Sequence, residues 1–148
     1  LDGGFNVARR IPVKGGKRFI AGDIVVCKKN KSACTLIKSQ ADLYDYKALV
    51  ERVVDGDTLL VKIDCGFNTF VRQRLRLRGI DTPELKSAAG GKAKDFVQKV
   101  LSAKTPIQIH TTKPDKFDRY LADIFYGKDE KYLNQELLDK GLAIRYPL

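Results

Sequence analysis

The sequence predicts a β-rich α+β fold: a small closed barrel of five strands with two helices, preceded by an N-terminal extension that also contains β-structure. Three observations predict this fold. After residue 46, three strand-like segments follow one another through short turns, a helical segment interrupts the strands after the third, and two further strands precede a second helix. A chain of 148 residues, 43% of them hydrophobic, suffices for one packed domain, or one domain with an extension.

The first three barrel strands are predicted to form a meander. The segments "ALVERVV" and "TLLVKI" flank the turn "DGD", and "TFVRQRLRLR" follows the turn "DCGFN". Gly and Asp favour tight turns, and strand-forming residues on both sides of such a turn indicate a hairpin. We therefore expect consecutive antiparallel strands.

The second half of the barrel domain mixes helices and strands. The segment "GGKAKDFVQKVLSAK" is predicted to form an amphipathic helix that begins around Gly91. Its apolar residues at helical spacing are Ala93, Phe96, Val97, Val100 and Leu101. The strands "PIQIHTT" and "YLADIFY" follow, then the helix "YLNQELLDKGLA", with Gly141 as its stop. Five strands with a helix after the third are typical of the oligonucleotide/oligosaccharide-binding (OB) barrel, whose closure leaves no exposed edges.

The first 46 residues form a predicted extension, distinct from the barrel domain at 47–148. The segment "IAGDIVVCKK" indicates a strand, and "SACTLIKSQ" is a candidate hairpin partner. The extension carries 9 basic and 4 acidic residues, against 19 and 14 in the remainder, so each part has a net charge of +5 and the shorter extension has the higher net charge per residue. We expect it to pack on the barrel.

Charge and composition limit the classes of function. The net charge of +10 and a pI near 9.6 favour a polyanionic partner, either nucleic acid or an anionic membrane. We find no apolar run long enough for a membrane span or a signal-peptide core, and the absence of methionine indicates that the original start was removed. Three cysteines and one histidine offer too few ligands for a zinc site, and we expect the cysteines to be reduced.

Arginines alternate with apolar residues along the third barrel strand. Alternation sends Arg72, Arg74, Arg76 and Arg78 to one face and Val71, Leu75 and Leu77 to the core. Four crowded guanidinium groups need water or anions to screen them, so this face is either solvent-exposed or a phosphate groove. We expect most of the four to face solvent, and one arginine near the strand end to take part in chemistry.

Two acidic clusters lie at the ends of predicted strands. Asp55 and Asp57 belong to "VVDGDT", and Asp81 and Glu84 belong to "IDTPE", where Pro83 restricts the backbone. Asp55 is interpreted as a turn residue. If the meander brings Asp57 beside Asp81, two carboxylates and a backbone carbonyl form an all-oxygen pocket that suits Ca²⁺ or Mg²⁺. Glu84 then remains as an unligated base.

Three motifs together resemble the staphylococcal nuclease (thermonuclease) family. They are "DGDT" at 55–58, "RLRGIDTPE" at 76–84 and "DKFDRYLADIF" at 115–125, followed by the helical "LNQELLDKGLA". Each motif is weak alone, but the set in this order is specific. The resemblance covers residues 47–148.

The resemblance implies a calcium-dependent endonuclease that hydrolyses phosphodiester bonds of DNA and RNA, with little sequence specificity and 3′-phosphate products. The implied roles are calcium binding for Asp57, Asp81 and the Thr82 carbonyl, general base for Glu84, phosphate binding for Arg76 and Arg119, and substrate contact for Lys116 and Phe117. Single-stranded substrates, a monomeric state, no membrane partner and an exported or extracellular location complete these expectations.

The sequence also differs from staphylococcal nuclease. The loop "LKSAAGGKAK" after Glu84 is shorter, Phe117 replaces a tyrosine, and the chain stops before a third helix. An alternative function is a non-catalytic nucleic-acid- or protein-binding module on the same barrel, since OB folds can keep their shape and lose their chemistry. An anionic-membrane binder would explain the charge but not the acids.

Overall fold

The computed structural model describes residues 4–5, 23–27, 34–37, 44–114 and 119–147. The strands in these ranges are β1 (Ile24–Cys27), β2 (Cys34–Ile37), β3 (Asp45–Asp55), β4 (Thr58–Asp64), β5 (Phe70–Leu77), β6 (Ile80–Asp81), β7 (Pro106–Pro114), β8 (Tyr120–Tyr126), β9 (Lys131–Tyr132) and β10 (Ile144–Arg145). The helices are α1 (Ala88–Val100) and α2 (Leu133–Asp139). Every element expected from the sequence is present, and β6, β9 and β10 are additional two-residue strands.

The barrel consists of β3, β4, β5, β7 and β8. Strands β5, β4, β3, β7 and β8 are hydrogen-bonded antiparallel neighbours in that order, which confirms the predicted meander. The sheet closes where β5 pairs in parallel with β8, from Leu75 opposite Tyr120 to Leu77 opposite Ala122. The prediction of a closed five-stranded OB-type barrel with two helices is therefore confirmed.

The core lies inside the barrel and under α1. Alternate residues of β4 point inward, and Leu59, Val61 and Ile63 are fully buried. From β5, Leu75 and Leu77 join them, and α1 adds Ala93, Val97 and Leu101. This is the apolar face that the alternation in β5 predicts, and it fixes which side chains of β5 face outward.

Helix α1 begins at Ala88, earlier than the expected start around Gly91. The reason is a cap: the Ser87 hydroxyl accepts a hydrogen bond from the Gly90 N–H at 2.9 Å, which satisfies a donor of the first turn. Gly90 also lies against the chain before the helix, since a Cβ built on it would be 2.1 Å from the Glu84 carbonyl oxygen. The helix is thus packed directly on the segment that carries Glu84.

Helix α2 is fastened to the barrel by a buried asparagine. Asn134, 1% exposed, accepts a hydrogen bond from the Ile124 N–H at 3.2 Å. Its amide donates to the carbonyls of Arg78 at 3.0 Å and Ala122 at 3.1 Å. One side chain therefore links α2, β8 and the end of β5.

None of the helices in the described ranges is long and apolar enough to cross a membrane.

Part of the extension is described. Strands β1 and β2 pair as an antiparallel hairpin, with Cys27 opposite Cys34 in the backbone register. The Phe5 ring packs against Tyr46 and Tyr120, with ring centroids 5.0 Å and 4.6 Å apart. The division into 1–46 and 47–148, and the packing of the whole extension on the barrel, stay predictions.

Candidate active site

Four of the predicted residues, Asp57, Arg76, Asp81 and Arg119, meet at one end of the barrel. The β3–β4 turn supplies Asp57, the end of β5 supplies Arg76, and β6 supplies Asp81. Register explains the meeting: Thr58 is paired with Arg76, and the Leu77 N–H donates to the Asp57 carbonyl at 2.8 Å. The turn is thereby held against the last residues of β5.

Arg76 bridges the two aspartates. Its Nη1 contacts Asp57 Oδ2, and its Nη2 contacts Asp81 Oδ1 and donates to the Ile80 carbonyl at 3.3 Å. Asp57 is only 3% exposed, whereas the Asp81 side chain is 44% exposed. Since an unpaired charge is costly to bury, the guanidinium offsets the desolvation of Asp57.

Asp57 accepts several further hydrogen bonds. Its Oδ2 accepts from the Thr82 N–H at 2.9 Å and the Thr82 hydroxyl at 2.8 Å, and its Oδ1 accepts from the Thr58 hydroxyl at 3.2 Å. Asp55 accepts the Asp57 N–H at 3.1 Å, as expected of a turn residue. These bonds fix the Asp57 carboxylate and draw the chain at Thr82 against it.

Arg119 reaches the same site from the start of β8. The parallel pairing of β8 with β5 puts Arg76 opposite Leu121, so the residue just before β8 lies near the end of β5. Arg119 Nη1 donates to the Thr58 hydroxyl at 3.5 Å, and that hydroxyl in turn contacts Asp57. Both arginines chosen from the sequence are therefore connected to Asp57.

Glu84 lies on the exposed segment after Pro83. The Glu84 side chain is exposed, and its backbone carbonyl accepts the Ser87 N–H at 2.9 Å and the Ser87 hydroxyl at 2.7 Å. The contact with Gly90 limits how this segment can move. Lys116 and Phe117, the two predicted substrate contacts, lie outside the described residues.

The donor set fits a hard divalent cation. Asp57 and Asp81 contact the same guanidinium, and carboxylate oxygens are ligands that suit Ca²⁺ or Mg²⁺. In the described ranges no three His, Cys, Asp or Glu side chains gather as a metal site, so a third protein ligand has to be a neutral oxygen such as the Thr82 carbonyl. A cation would compete with Arg76 for the same carboxylate oxygens.

A second ionic cluster lies beside the first, and the sequence reasoning missed it. Arg78 does not continue the outward row, because β5 ends at Leu77 and Gly79, at a φ of +73°, turns the chain. Arg78 pairs instead with Asp123, whose other oxygen accepts the Tyr132 hydroxyl at 2.7 Å. The signal was available, since an aspartate in the middle of the apolar "YLADIFY" needs a partner when buried.

The cluster shifts the titration of its members. Burial, the hydrogen bond to Asp123 and the Asp123 charge raise the pKa of Tyr132 to about 12. The hydrogen bond to Asp123 raises the pKa of Arg78. Arg78, Asp123 and Tyr132 thereby connect the residue after β5 with β8 and with the residue before α2.

Two other arginines of β5 face solvent, as predicted. Arg72 and Arg74 are exposed, and Arg72 Nε lies 2.7 Å from Glu51 Oε2.

Cys65 is a free thiol whose pKa is raised by burial and, to a lesser extent, by the charge of Asp64. Neither Cys65 nor either exposed arginine adds a group to the site at Arg76.

Comparison with known proteins agrees with the fold. The profile of the family described as "Staphylococcal nuclease homologue" matches residues 74–147. Thermonucleases of Staphylococcus hyicus and Staphylococcus intermedius are 33% and 34% identical over 71% and 72% of this chain. An uncharacterised protein of Methanocaldococcus jannaschii is 33% identical over 68% of the chain. The chain spans 61%, 63% and 59% of the lengths of these three relatives, respectively.

A closed OB barrel with paired carboxylates and arginines at one end defines a class of nuclease-like proteins. The chain belongs to the staphylococcal nuclease family. The predicted resemblance is thus confirmed.

Proposed function

We propose that this chain is a calcium-dependent endonuclease that hydrolyses phosphodiester bonds of DNA and RNA with little sequence specificity. The observation that carries the proposal is the contact of Arg76 with both Asp57 and Asp81, with Arg119 linked to them through Thr58. Family membership supports hydrolysis of nucleic acid in general. The calcium requirement and the residue roles rest on the donor set and on the resemblance of the motifs.

Arg76 and Arg119 bind the scissile phosphate. A guanidinium presents N–H groups in a planar fork that matches two phosphate oxygens, and it stays charged at any working pH. When a substrate phosphate arrives, Arg76 exchanges carboxylate contacts for phosphate contacts. The two arginines then stabilise the negative charge that accumulates on the phosphate oxygens in the transition state.

Asp57, Asp81 and the Thr82 carbonyl would hold the calcium ion. When bound, the ion supplies positive charge beside the phosphate and so assists nucleophilic attack on an anion. The hydrogen bonds from Thr82 and Thr58 keep the Asp57 carboxylate in one orientation. A preorganised ligand needs less reordering on binding.

Glu84 acts as the general base. Its exposed carboxylate can accept a proton from the attacking water, and Pro83 together with the Gly90 contact restricts the backbone that carries it. Lys116 and Phe117 contact the substrate in this proposal. Neither arginine nor Glu84 reads a base edge, which accounts for low sequence specificity.

The first test is cleavage of single-stranded DNA with Ca²⁺, with Mg²⁺ and with a chelator. We expect cutting that requires Ca²⁺ and that falls by at least about 10²-fold in Asp57→Asn and in Glu84→Gln. Asp129→Asn, at an exposed turn acid, is the matched control and should retain wild-type cleavage. Binding of DNA with a steep salt dependence but no cleavage under any condition would identify a binding module instead.

Substrate form, assembly and location are further parts of the proposal. Single-stranded or transiently opened nucleic acid is preferred. An open strand exposes its phosphates in more directions than a duplex does, so Arg76 and Arg119 can reach them more easily. We also propose a monomeric, exported enzyme, as the resemblance implies. Sedimentation of the purified chain and its detection in the medium of the producing cells test these two points, and a dimer or strict cellular retention would reject them.

A further inference from the structure

The outward face of β5 continues away from the active site. Phe70, Arg72, Arg74 and Arg76 alternate with inward residues, so all four point to the same side of the sheet. Phe70 is six residues from Arg76, and at the rise of a β-strand this separates them by about 20 Å. Arg76 begins the row inside the active site, and Phe70 ends it, 51% exposed.

A groove of about 600 Å³ lies at the Phe70 end of this row. It crosses the sheet, because Phe70 is paired with Asp64, Asp64 with Lys47, and Leu49 with Lys62 in neighbouring strands. The apolar part of its lining includes Phe70, Phe125 and Leu49, which is 42% exposed. A concave and mostly apolar groove of this volume is typical of a binding site.

Three lysines contribute positive charge to the lining of the groove. Lys47, Lys62 and Lys128 line it, and Lys62 Nζ lies 4.6 Å from the centroid of the Phe70 ring. Asp64 and Glu130 also line it, so three lysines face two acids and the formal net charge of the lining is +1.

Aromatic rings interleaved with lysines match single-stranded nucleic acid. Bases stack on aromatic faces, and ammonium groups bind the phosphates between them. The net charge of +10 adds attraction for the same polymer. Continuity with the row of arginines gives a further reason, since one strand bound at Arg76 can pass Arg74 and reach Phe70 without leaving this face.

We infer that the groove around Phe70 and Lys62 is a second nucleic-acid subsite, which binds single-stranded nucleotides several positions away from the phosphate held at Arg76. This inference rests on the proposed function for its ligand, nucleic acid. It does not depend on catalysis, because binding at the groove needs neither metal nor hydrolysis. The subsite makes affinity depend on strand length. Short oligonucleotides occupy the Arg76 end alone, and longer ones occupy both ends.

The test compares the affinities for oligothymidylates of three and twelve nucleotides. Fluorescence anisotropy is measured with the full chain and a chelator, which prevents cleavage. We expect the wild type to bind the longer oligonucleotide much more tightly, and Phe70→Ala to reduce this length advantage by about 5-fold or more. Lys62→Ala should reduce it as well and lower the salt slope by about 1.

Matched variants separate the groove from general effects. Tyr44→Ala removes another exposed aromatic and Lys99→Ala another exposed lysine, and neither residue lines the groove, so both should retain the wild-type length advantage. Phe70→Leu keeps apolar bulk but removes the ring, and it should lose the advantage if stacking is the cause. Melting temperatures of all variants establish that they are folded.

Three results would overturn the inference. If Phe70→Ala and Phe70→Leu keep the full length advantage in an enzyme that still cleaves DNA, the groove is not a subsite and the proposed function stands. If the wild type neither binds nor cleaves either oligonucleotide, both proposals fail. If the wild type sediments as a dimer that Phe70→Ala converts to a monomer, the groove is a contact between two copies of the chain.

Discussion

Arg76 and Arg78 are two residues apart, and each pairs with aspartate, yet their surroundings differ. Arg76 contacts Asp57 and Asp81, and the Asp81 side chain is 44% exposed. Arg78 contacts Asp123, whose side chain is 7% exposed and also receives the Tyr132 hydroxyl. Asp57 and Asp123 are both nearly buried, but the Arg76 cluster reaches solvent at its second acid, Asp81, whereas the Arg78 cluster reaches solvent at Arg78 itself and at Tyr132.

The difference between the clusters lies in Asp81, whose side chain is 44% exposed, because Asp57 and Asp123 each accept hydrogen bonds at both oxygens. Both oxygens of Asp123 are used within the fold, and the Arg78 carbonyl is bonded to Asn134 of α2, so this cluster joins elements. In the Arg76 cluster, Asp81 reaches solvent and Arg119 is linked to Asp57 through the Thr58 hydroxyl. The Arg78 cluster joins elements of the fold, and the Arg76 cluster is the catalytic site in our proposal.

The largest expected effect is on turnover at the arginines of the site. Arg119→Ala should lower kcat by about 10² to 10³, because a positive group that stabilises the transition state is lost. Arg72→Ala, which removes an exposed arginine paired with Glu51, should leave kcat nearly unchanged. Steady-state kinetics on single-stranded DNA measure both, and equal losses in the two variants would contradict the assignment.

The Arg78 cluster should show its effect in stability. Asp123→Ala leaves Arg78 and Tyr132 without their acceptor, and we expect the free energy of unfolding to fall by about 2–3 kcal/mol. Well below the melting temperature, kcat should match the wild type. Urea unfolding provides the measurement, with the exposed-turn variant Asp129→Ala as control. A loss of kcat without a loss of stability would place Asp123 in the active site.

Two adjacent glycines test whether α1 positions the active site. Gly90→Ala places a Cβ against the Glu84 and Pro83 carbonyls, so that segment must shift, and we expect kcat to fall by about tenfold or more. At Gly91 no atom lies within 4 Å of an added Cβ. Gly91→Ala should therefore keep kcat and stabilise the helix by up to about 1 kcal/mol.

DNA affinity and melting temperature show whether Gly90→Ala displaces the Glu84 segment or only weakens the fold. DNA affinity in the presence of a chelator depends on the arginines, so it should stay near the wild-type value in Gly90→Ala while kcat falls. Loss of affinity and turnover in equal measure, together with a lowered melting temperature, would mean that Gly90 serves only the packing of the helix.

The smallest expected effect is on stability at alkaline pH. The folded state raises the pKa of Tyr132 from 10.0 to about 12 through burial and the bond to Asp123, and that of Tyr126 to about 12 through burial and Glu136. The unfolded chain loses these protons first as pH rises. The stabilisation is therefore present below pH 10 and is lost as pH increases towards 12.

Removing the phenol groups should flatten this dependence. We expect Tyr132→Phe and Tyr126→Phe each to reduce the loss of stability between pH 10 and 12, and the double variant to reduce it further. Chemical unfolding at several pH values gives the slope. An unchanged slope in the double variant would show that other groups cause the alkaline loss.

The fold could be predicted because its signals are local. Alternation located β4 and β5, glycines and aspartates located the turns, and helical spacing located α1 and α2. The two-residue strands β6, β9 and β10 were not predicted, since so short a segment has no periodicity. The start of α1 was placed too late because the cap depends on the Ser87 side chain rather than on the apolar pattern.

The sequence predicted that Asp57 and Asp81 lie together, but it did not predict the side-chain contacts that join them to Arg76. Asp57, Arg76 and Asp81 were selected from turn chemistry and motif resemblance, and the register of β4 with β5 brings them together. That one guanidinium touches both carboxylates is a matter of side-chain conformation, which sequence patterns do not specify. Arg78 was assigned to the wrong row because the strand end at Leu77 depends on the turn at Gly79.

The most direct test of the account compares Arg76→Lys with Arg78→Lys. Each variant keeps the positive charge but removes the planar fork. We predict that Arg76→Lys loses about 10²-fold or more in kcat, and that Arg78→Lys lowers the melting temperature and leaves kcat near the wild-type value. Equal losses of kcat in both variants, or the reverse order, would contradict the division between a catalytic and a structural cluster.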